Sequence, residues 1–254
     1  MKLASWNVNS IRVRLQQIMD WLESSQVEIL GLQETKIVDE QFPREAFEEA
    51  GYHVVYTGQP TYNGVATVSR RAPEDVVLAF PHYDDASKRV LAASYGSLRI
   101  VNLYVPNGKS VGSEKYAYKL EWLEALRGFL AEEMEKYDNL AVIGDFNIAP
   151  TDSDVHNPDR WEGSVLVSEP ERRALSVIMD LGFKDSFRLF PQEEKAFSWW
   201  DYRAGAFRRN MGLRIDLILL SDALAGRCRG SCIDKAPRSL ERPSDHAPVL
   251  AEID

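Results

Sequence analysis

The chain has 254 residues, 44% of them hydrophobic and 27% charged, an ordinary globular composition with enough apolar material for a sizeable core. Thirty Lys and Arg against 39 Asp and Glu give a formal charge of −9, which excludes a protein that coats nucleic acid by bulk electrostatics. No run approaches the roughly 20 apolar residues of a membrane span, and the start, MKLASWNVNSIR, lacks the apolar core of a signal peptide. The two cysteines, Cys228 and Cys232, are poor candidates for a zinc site, so a soluble cytoplasmic protein with reduced thiols is expected. Charge is unevenly spread. Residues 203–242 hold nine basic side chains against Asp216, Asp222, Asp234 and Glu241, a local excess of +5 that permits one cationic face on an acidic body.

In chain order, the first amphipathic segment carries Ile11, Leu15, Ile18 and Leu22 on one face, with Ser10 as the expected N-cap. Apolar runs of strand length follow at 27–32, 54–56, 65–68, 76–80 and 100–105. A long helix is predicted from about residue 113 to 137, with Tyr116, Leu120, Leu123 and Leu130 facing inward. Residues 140–143 read as another strand. Ser168 and Glu171, spaced as a capping box, open a third helix that carries Leu175, Ile178 and Met179 and ends at Gly182. The last strands are expected at 215–220 and 249–253. Helices separate clusters of strands instead of alternating with them one for one, which favours a layered α/β sandwich over a doubly wound parallel sheet. No Gly/Ser- or Pro-rich linker interrupts the chain, so one domain over 1–254 is expected.

Several of these strands end in residues able to bind metal or phosphate. The run 27–32 leads into Gln33 and Glu34, and 100–105 contains Asn102 and Tyr104 and ends at Pro106 and Asn107. The run 140–143 leads through Gly144 to Asp145 and Asn147, and Ser244, Asp245 and His246 precede the final strand. Taken singly, an Asp or Asn after a strand more often caps a turn, and Tyr104 within an apolar run more often packs a core. Asp216 is different, because a carboxylate between Ile215 and Leu217 in a buried strand needs a cationic partner, and His246 could supply it. The group as a whole offers carboxylates, amides and one histidine, with no conspicuous nucleophile. Glu34 supplies a hard oxygen ligand suited to Mg²⁺, and metal-assisted phosphodiester hydrolysis needs these parts.

SWNVNSIR (5–12), LQETK (32–36), YNGVA (62–66), NLYVPNG (102–108), GDFNIAPTDSDV (144–155), FSWWDYR (197–203), LRIDLILLS (213–221) and SDHAPV (244–249) follow one another in an order that resembles the exonuclease III family of abasic-site endonucleases. The resemblance implies a four-layer α/β sandwich, two packed, mostly antiparallel sheets flanked by helices, with the active site at one edge. It further implies that Glu34 is the main metal ligand, with Asn7 and Asp245 beside it, and that Mg²⁺, replaceable by Mn²⁺, is the cofactor. Asp145 aligns or deprotonates the attacking water with help from Asn147, while Tyr104 and Asn107 contact the scissile phosphate. His246, paired with Asp216, lies against a phosphate oxygen. Trp199, Leu213 and Ile215 are implied to form a pocket for a flipped baseless sugar, and Arg208 and Arg209 to touch the DNA backbone or minor groove.

The expected substrate is double-stranded DNA with abasic sites or 3′ ends, cut by a monomer that needs no membrane. A 3′→5′ exonuclease with little abasic-site activity is the nearest alternative; an inositol-phosphate or lipid phosphatase and a silent DNA-binding module are further ones. Asn9, the second Asn of WNVN, stands where some relatives carry Asp and is assigned only a water-mediated role at the metal. Segment 160–172, RWEGSVLVSEPER, departs from the family pattern and bears on the choice between abasic sites and plain 3′ ends.

Overall fold

The computed structural model describes residues 1–254. β1 (Lys2–Asn7), β2 (Ile29–Gln33), β3 (His53–Thr57) and β4 (Val65–Ser69) begin one sheet. β5 (Glu74–Val77), β6 (Val90–Tyr95), β7 (Leu98–Tyr104), β8 (Leu140–Asp145), β9 (Phe183–Asp185) and β10 (Asp216–Ser221) form the second. β11 (Cys228–Ile233) and β12 (Val249–Ile253) return to the first. The strand orders are β11-β12-β1-β2-β4-β3 and β5-β6-β7-β8-β10-β9.

Each sheet contains one parallel pair, β1 with β2 and β7 with β8, and every other pairing is antiparallel. Parallel neighbours need a crossover, and helices provide it: α1 (Ile11–Ser25) joins β1 to β2. After the short α2 (Arg44–Glu49), α3 (Glu114–Lys136) joins β7 to β8. The short α4 (Pro158–Trp161), α5 (Glu169–Met179) and the short α6 (Asp222–Ala225) complete the helices. Ile11, Ile18, Trp21 and Leu22 of α1 and Phe47 of α2 pack on the outer face of the first sheet. Trp122, Leu126 and Phe129 of α3 and Leu175 and Ile178 of α5 pack on that of the second. The result is the expected four-layer sandwich of mostly antiparallel sheets.

Strand parity decides what lies between the sheets, since successive side chains point to opposite faces. Ile100, Ala141, Ile143, Ile218 and Leu220 of the second sheet fill that layer, with Leu3, Ile29 and Ala251 of the first opposite. Their neighbours Leu30, Val101, Val142 and Leu219 face the helices instead. The same parity sends Gln33 and Asn102 inward, and this corrects their reading as possible metal or phosphate groups. Gln33 Nε2 donates to Asn102 Oδ1 at 2.7 Å and Asn102 Nδ2 donates to the carbonyl of Ala66 at 2.8 Å, so both tie the sheets together. Gly31 keeps the gap narrow, since a Cβ there would stand 2.7 Å from Ile143 Cδ1 and 3.0 Å from Asn102 Cγ.

The expected helices form, but α5 ends at Met179, short of Gly182, and one N-cap differs. Ser113 caps α3 by accepting from Tyr116 N, and the Ser168–Glu171 capping box opens α5. Ser10 makes no side-chain cap. The first amides of α1 bond to backbone carbonyls instead, Ser10 N to Glu34 O at 2.8 Å and Ile11 N to Thr35 O at 3.1 Å, which fastens α1 to the loop after β2. Four strands escape the apolar pattern: β1, β6, β9 and β11. β9 has three residues, β11 carries a register shift between Cys228 and Gly230, and β1 and β6 have small or polar residues in mid-strand, Ala4 and Ser5 in one and Ala92, Ala93 and Ser94 in the other. The run expected at 76–80 is displaced to Glu74–Val77, because Phe80 leaves the sheet to pack against Trp122 and Phe129.

A buried ion network anchors the segment that leads into β10. Asp154 accepts from Arg214 Nε at 2.6 Å and from Thr151 N and Oγ1 at 3.0 and 2.8 Å, and Arg214 Nη2 reaches Asp185 at 2.7 Å. Burial alone would push the Asp154 carboxyl up, but the Arg214 guanidinium more than offsets it and holds the group below its ordinary value. A depressed carboxyl stabilises the fold above the unfolded value of about 4, and that contribution is lost as pH falls through the folded value. Asp154→Asn, which leaves Arg214 with Asp185 as its one buried carboxylate, is therefore expected to cost about 1–3 kcal/mol at neutral pH and to flatten the acid limb of stability, as read by urea unfolding from neutral pH down to about 3.

Candidate active site

The carboxyl ends of β1, β2, β7 and β8 lie at one edge of the sandwich, where open α/β sheets usually hold their ligands. The parity that sends Ile143 and Ile218 between the sheets also sends Asn7, Tyr104, Asp145 and Asp216 there, so the site is the polar end of the inter-sheet core. Asp145 and Asp216 sit directly opposite each other on antiparallel β8 and β10.

Asn7 spans the sheets. Its Nδ2 donates to Glu34 Oε1 and to Asp145 Oδ2, both at 2.9 Å, and its Oδ1 accepts from Asn9 N at 3.0 Å. Glu34, Asn9 and Asn147 all adopt left-handed backbone, with φ of 52°, 45° and 49°, a strain that surrounding hydrogen bonds must hold. Glu34 Oε2 pairs with Lys36 Nζ at 2.8 Å, and Lys36 also donates to Asn9 Oδ1 at 2.5 Å. Asn147 N donates to Asp145 Oδ1 at 2.9 Å, Asn147 Nδ2 to the carbonyl of Val105 at 3.0 Å, and Asn107 Nδ2 to Asn147 Oδ1 at 3.0 Å.

His246 lies on the other side of Asp145. Its Nδ1 faces Asp216 at 2.9 and 3.1 Å, and its Nε2 stands 3.8 Å from Asp145 Oδ2. Ser198 Oγ donates to Asp216 Oδ2 at 2.6 Å while accepting the backbone N–H of Ile215 and Asp216. Ser244 Oγ donates to the Asn7 carbonyl at 2.6 Å and accepts His246 N, which binds the loop before β12 to the end of β1.

Burial alone would lower the His246 imidazole, but Asp216 and then Asp145 overcome it and raise its pKa to about 10, so the ring is a cation at neutral pH. Burial pushes the Asp145 carboxyl up to about 7, with His246 opposing and Asp216 adding to the rise. A carboxylate whose pKa is raised in this way is a stronger proton acceptor than an exposed one. Tyr104 is held well above the ordinary phenol value, by burial first and then by Glu34 and Asp145, so its hydroxyl stays a donor.

Glu34, Asp145 and His246 offer ligand atoms that all lie within 4.8 Å of one another, a cluster that could hold a metal ion. With His246 protonated and engaged by Asp216, the oxygens of Glu34 and Asp145 are the available donors, and an all-oxygen pair fits a hard divalent cation. Asp245 stands outside this trio: Oδ1 accepts from Asn9 Nδ2 at 2.9 Å and Oδ2 from Trp199 Nε1 at 3.0 Å. Burial would raise its carboxyl, yet His246 and these two donors hold it low and ionised.

Trp199, Leu213 and Ile215 come together. Trp199 forms isolated bridges to both Leu213 and His246, and Leu213 and Ile215 pack with Val155, Leu166 and Val167. Leu213 is 0% and Ile215 2% exposed, while Trp199 stays partly open to solvent. Arg208 and Arg209 project into solvent from a loop braced by Trp200, which donates to Asn210 Oδ1 at 3.1 Å and packs edge-on against Phe207. A cleft of about 890 Å³ between α4 and α5, lined by Val155, Trp161 and Arg172 among others, holds none of the cluster residues.

Sequence reasoning missed Ser198 and Lys119. Ser198 sits among aromatics in FSWW, and only the structure reveals its hold on Asp216. Lys119 carried a readable signal, because a lysine three residues after Tyr116 and four before Leu123 falls on the inward face of its helix.

Comparison with known proteins agrees with this geometry. Exodeoxyribonuclease III of Haemophilus influenzae is 39% identical over 266 aligned positions that cover all of both chains. A 3′ phosphatase, NExo, from Neisseria, solved with a product DNA hairpin, superposes with a TM-score of 0.98 at 44% identity, covering 100% of this chain and 99% of that one. An AP endonuclease from Archaeoglobus fulgidus superposes at 0.97 with 40% identity, again over 100% and 99%. The sequence pattern of one family matches residues 4–246, which contain every strand end that builds the cluster; the chain belongs to the endonuclease/exonuclease/phosphatase family.

Proposed function

We propose that this chain, a DNA-repair nuclease, uses Mg²⁺ to hydrolyse the phosphodiester bond on the 5′ side of abasic sites in duplex DNA and to trim 3′ ends. The observation that carries the reading is the unbroken series Asp216, His246, Asp145, Asn7 and Glu34, which sets a cation, a near-neutral acid and a carboxylate ligand around one point. Mg²⁺, or Mn²⁺ in its place, supplies positive charge to the phosphoryl oxygens when bound. Glu34 is its principal ligand. Asn7 directs its NH₂ at the carboxylates, so its part is to align Glu34 and Asp145, and Asp245 supports the metal side through Asn9.

Asp145 accepts the proton of the attacking water, and Asn147 fixes the carboxylate by its backbone N–H. His246 presents Nε2–H to a non-bridging oxygen, with Asp216 keeping the ring charged. Tyr104 and Asn107 donate to the scissile phosphate. Trp199 caps the sugar pocket over Leu213 and Ile215, and Arg208 and Arg209 engage flanking phosphates. One domain over residues 1–254, acting as a monomer in the cytoplasm, suffices for this chemistry.

A second reading keeps the metal site and drops abasic incision, leaving a 3′→5′ exonuclease. The complete burial of Leu213 and Ile215 favours it, because a flipped sugar would have to part these side chains from their neighbours.

Purified protein with Mg²⁺ should incise an abasic-site duplex directly 5′ to the lesion, stop on addition of EDTA and resume when Mg²⁺ is restored; digestion confined to recessed 3′ ends would establish the second reading. Asp145→Asn and His246→Asn are each expected to lower kcat by at least ~100-fold with DNA affinity nearly unchanged, and near-normal turnover in either would remove that role. Joint Arg208→Ala and Arg209→Ala should reduce the slope of log affinity against log salt by about 1–2, measured by fluorescence anisotropy.

A further inference from the structure

Lys119 lies outside the cluster yet touches two of its loops. Its side chain, on the inward face of α3, is fully buried, and Nζ donates to the backbone carbonyls of Asn147 at 2.7 Å and Asn107 at 3.3 Å. The third partner is the buried carboxylate of Glu171, so each ammonium proton has an acceptor. Glu171 in turn accepts Leu166 N at 3.0 Å and Ser168 N at 3.2 Å, together with the Ser168 hydroxyl. Leu166 has left-handed backbone, φ 77°, and its carbonyl receives Ala149 N at 2.7 Å.

A buried ion pair that only filled space could be exchanged for apolar side chains at little cost. Apolar side chains could not donate to two carbonyls. Those carbonyls belong to the two asparagines whose side chains bond each other, and one of them holds Asp145 by its amide. Asn147 keeps its left-handed φ of 49° only while such bonds over-determine it.

We infer that Lys119 is a positioning residue for DNA cleavage, acting through the carbonyls of Asn107 and Asn147, and that Glu171 couples it to residues 164–168 beside the Trp199 wall. The inference rests on the proposed role of Asp145 in activating water. The conformation of a segment remote in sequence thereby sets the aim of two phosphate-side groups.

The double variant Lys119→Met/Glu171→Gln removes both charges, and the Gln carbonyl keeps an acceptor for one of the Leu166 and Ser168 amides. It should stay folded, since no charge is left stranded, but melt below the parent because the Asn107 and Asn147 carbonyls lose their donor. On an abasic-site duplex its KM should stay within about threefold and kcat should fall at least ~30-fold, because misaligned groups lose rate before affinity. The side-chain amide signals of Asn107 and Asn147 in ¹⁵N spectra should shift. Lys119→Arg, which keeps the pair and its donors, should recover kcat to within about fivefold of the parent.

A folded double variant with kcat within about threefold of the parent and unmoved amide signals overturns the inference. If the double variant does not fold, Lys119→Arg decides: a lowered kcat accompanied by moved Asn107 and Asn147 side-chain amide signals supports the coupling, and a lowered kcat with unmoved signals overturns it. A parent chain inactive on every DNA would sink the phosphodiesterase reading, and the amide signals would still test the positioning claim separately.

Discussion

One amide group holds the chemistry of two sheets together. Glu34 follows β2 of the first sheet and Asp145 ends β8 of the second, and two carboxylates brought this close repel unless something positive or donating stands between them. The two N–H bonds of Asn7 do that, one to each acid. For this to work, β1 must end level with β2 and with β8, and the sheets must approach closely. The parallel pairing of β1 with β2 sets the first condition, and Gly31 with the small side chains of the inter-sheet layer sets the second.

The electrostatics follow from the same crowding. Glu34, Asp145 and Asp216 have Lys36 and His246 as their direct ion-pair partners, so the edge is acidic within a chain of formal charge −9. A divalent cation held at such an edge would offset the repulsion that a polyanion meets there. His246 escapes neutralisation because Asp216 is fixed beneath it by Ser198 and by the strand amides. Arg208 and Arg209 stand exposed to solvent, away from this buried cluster.

Much of this was legible in the residues. Asp216 announced a partner because a carboxylate flanked by Ile215 and Leu217 cannot stay buried alone, and its partner is His246. The helices were readable from period and caps, and the long apolar strands from their runs. What escaped has a common cause. Gln33 and Asn102 look like chemistry at a strand end, but strand parity turns them between the sheets, and parity can be assigned only when the faces are known. Lys119 was hidden by the ordinary expectation that lysine on a helix faces water. Ser10 has the chemistry of a cap, yet a backbone carbonyl from another loop took that part, a tertiary contact that no local pattern encodes.

The return of the chain to its starting sheet has a consequence for biosynthesis. β12 lies between β11 and β1, and the loop before it carries Asp245 and His246. A polypeptide emerging from the ribosome therefore exposes Glu34 and Asp145 long before the imidazole that completes their surroundings has been translated. The second sheet can fold in its entirety from one continuous stretch, but the first waits for its last two strands. The cluster at the sheet edge is thereby completed by the last part of the chain to be made.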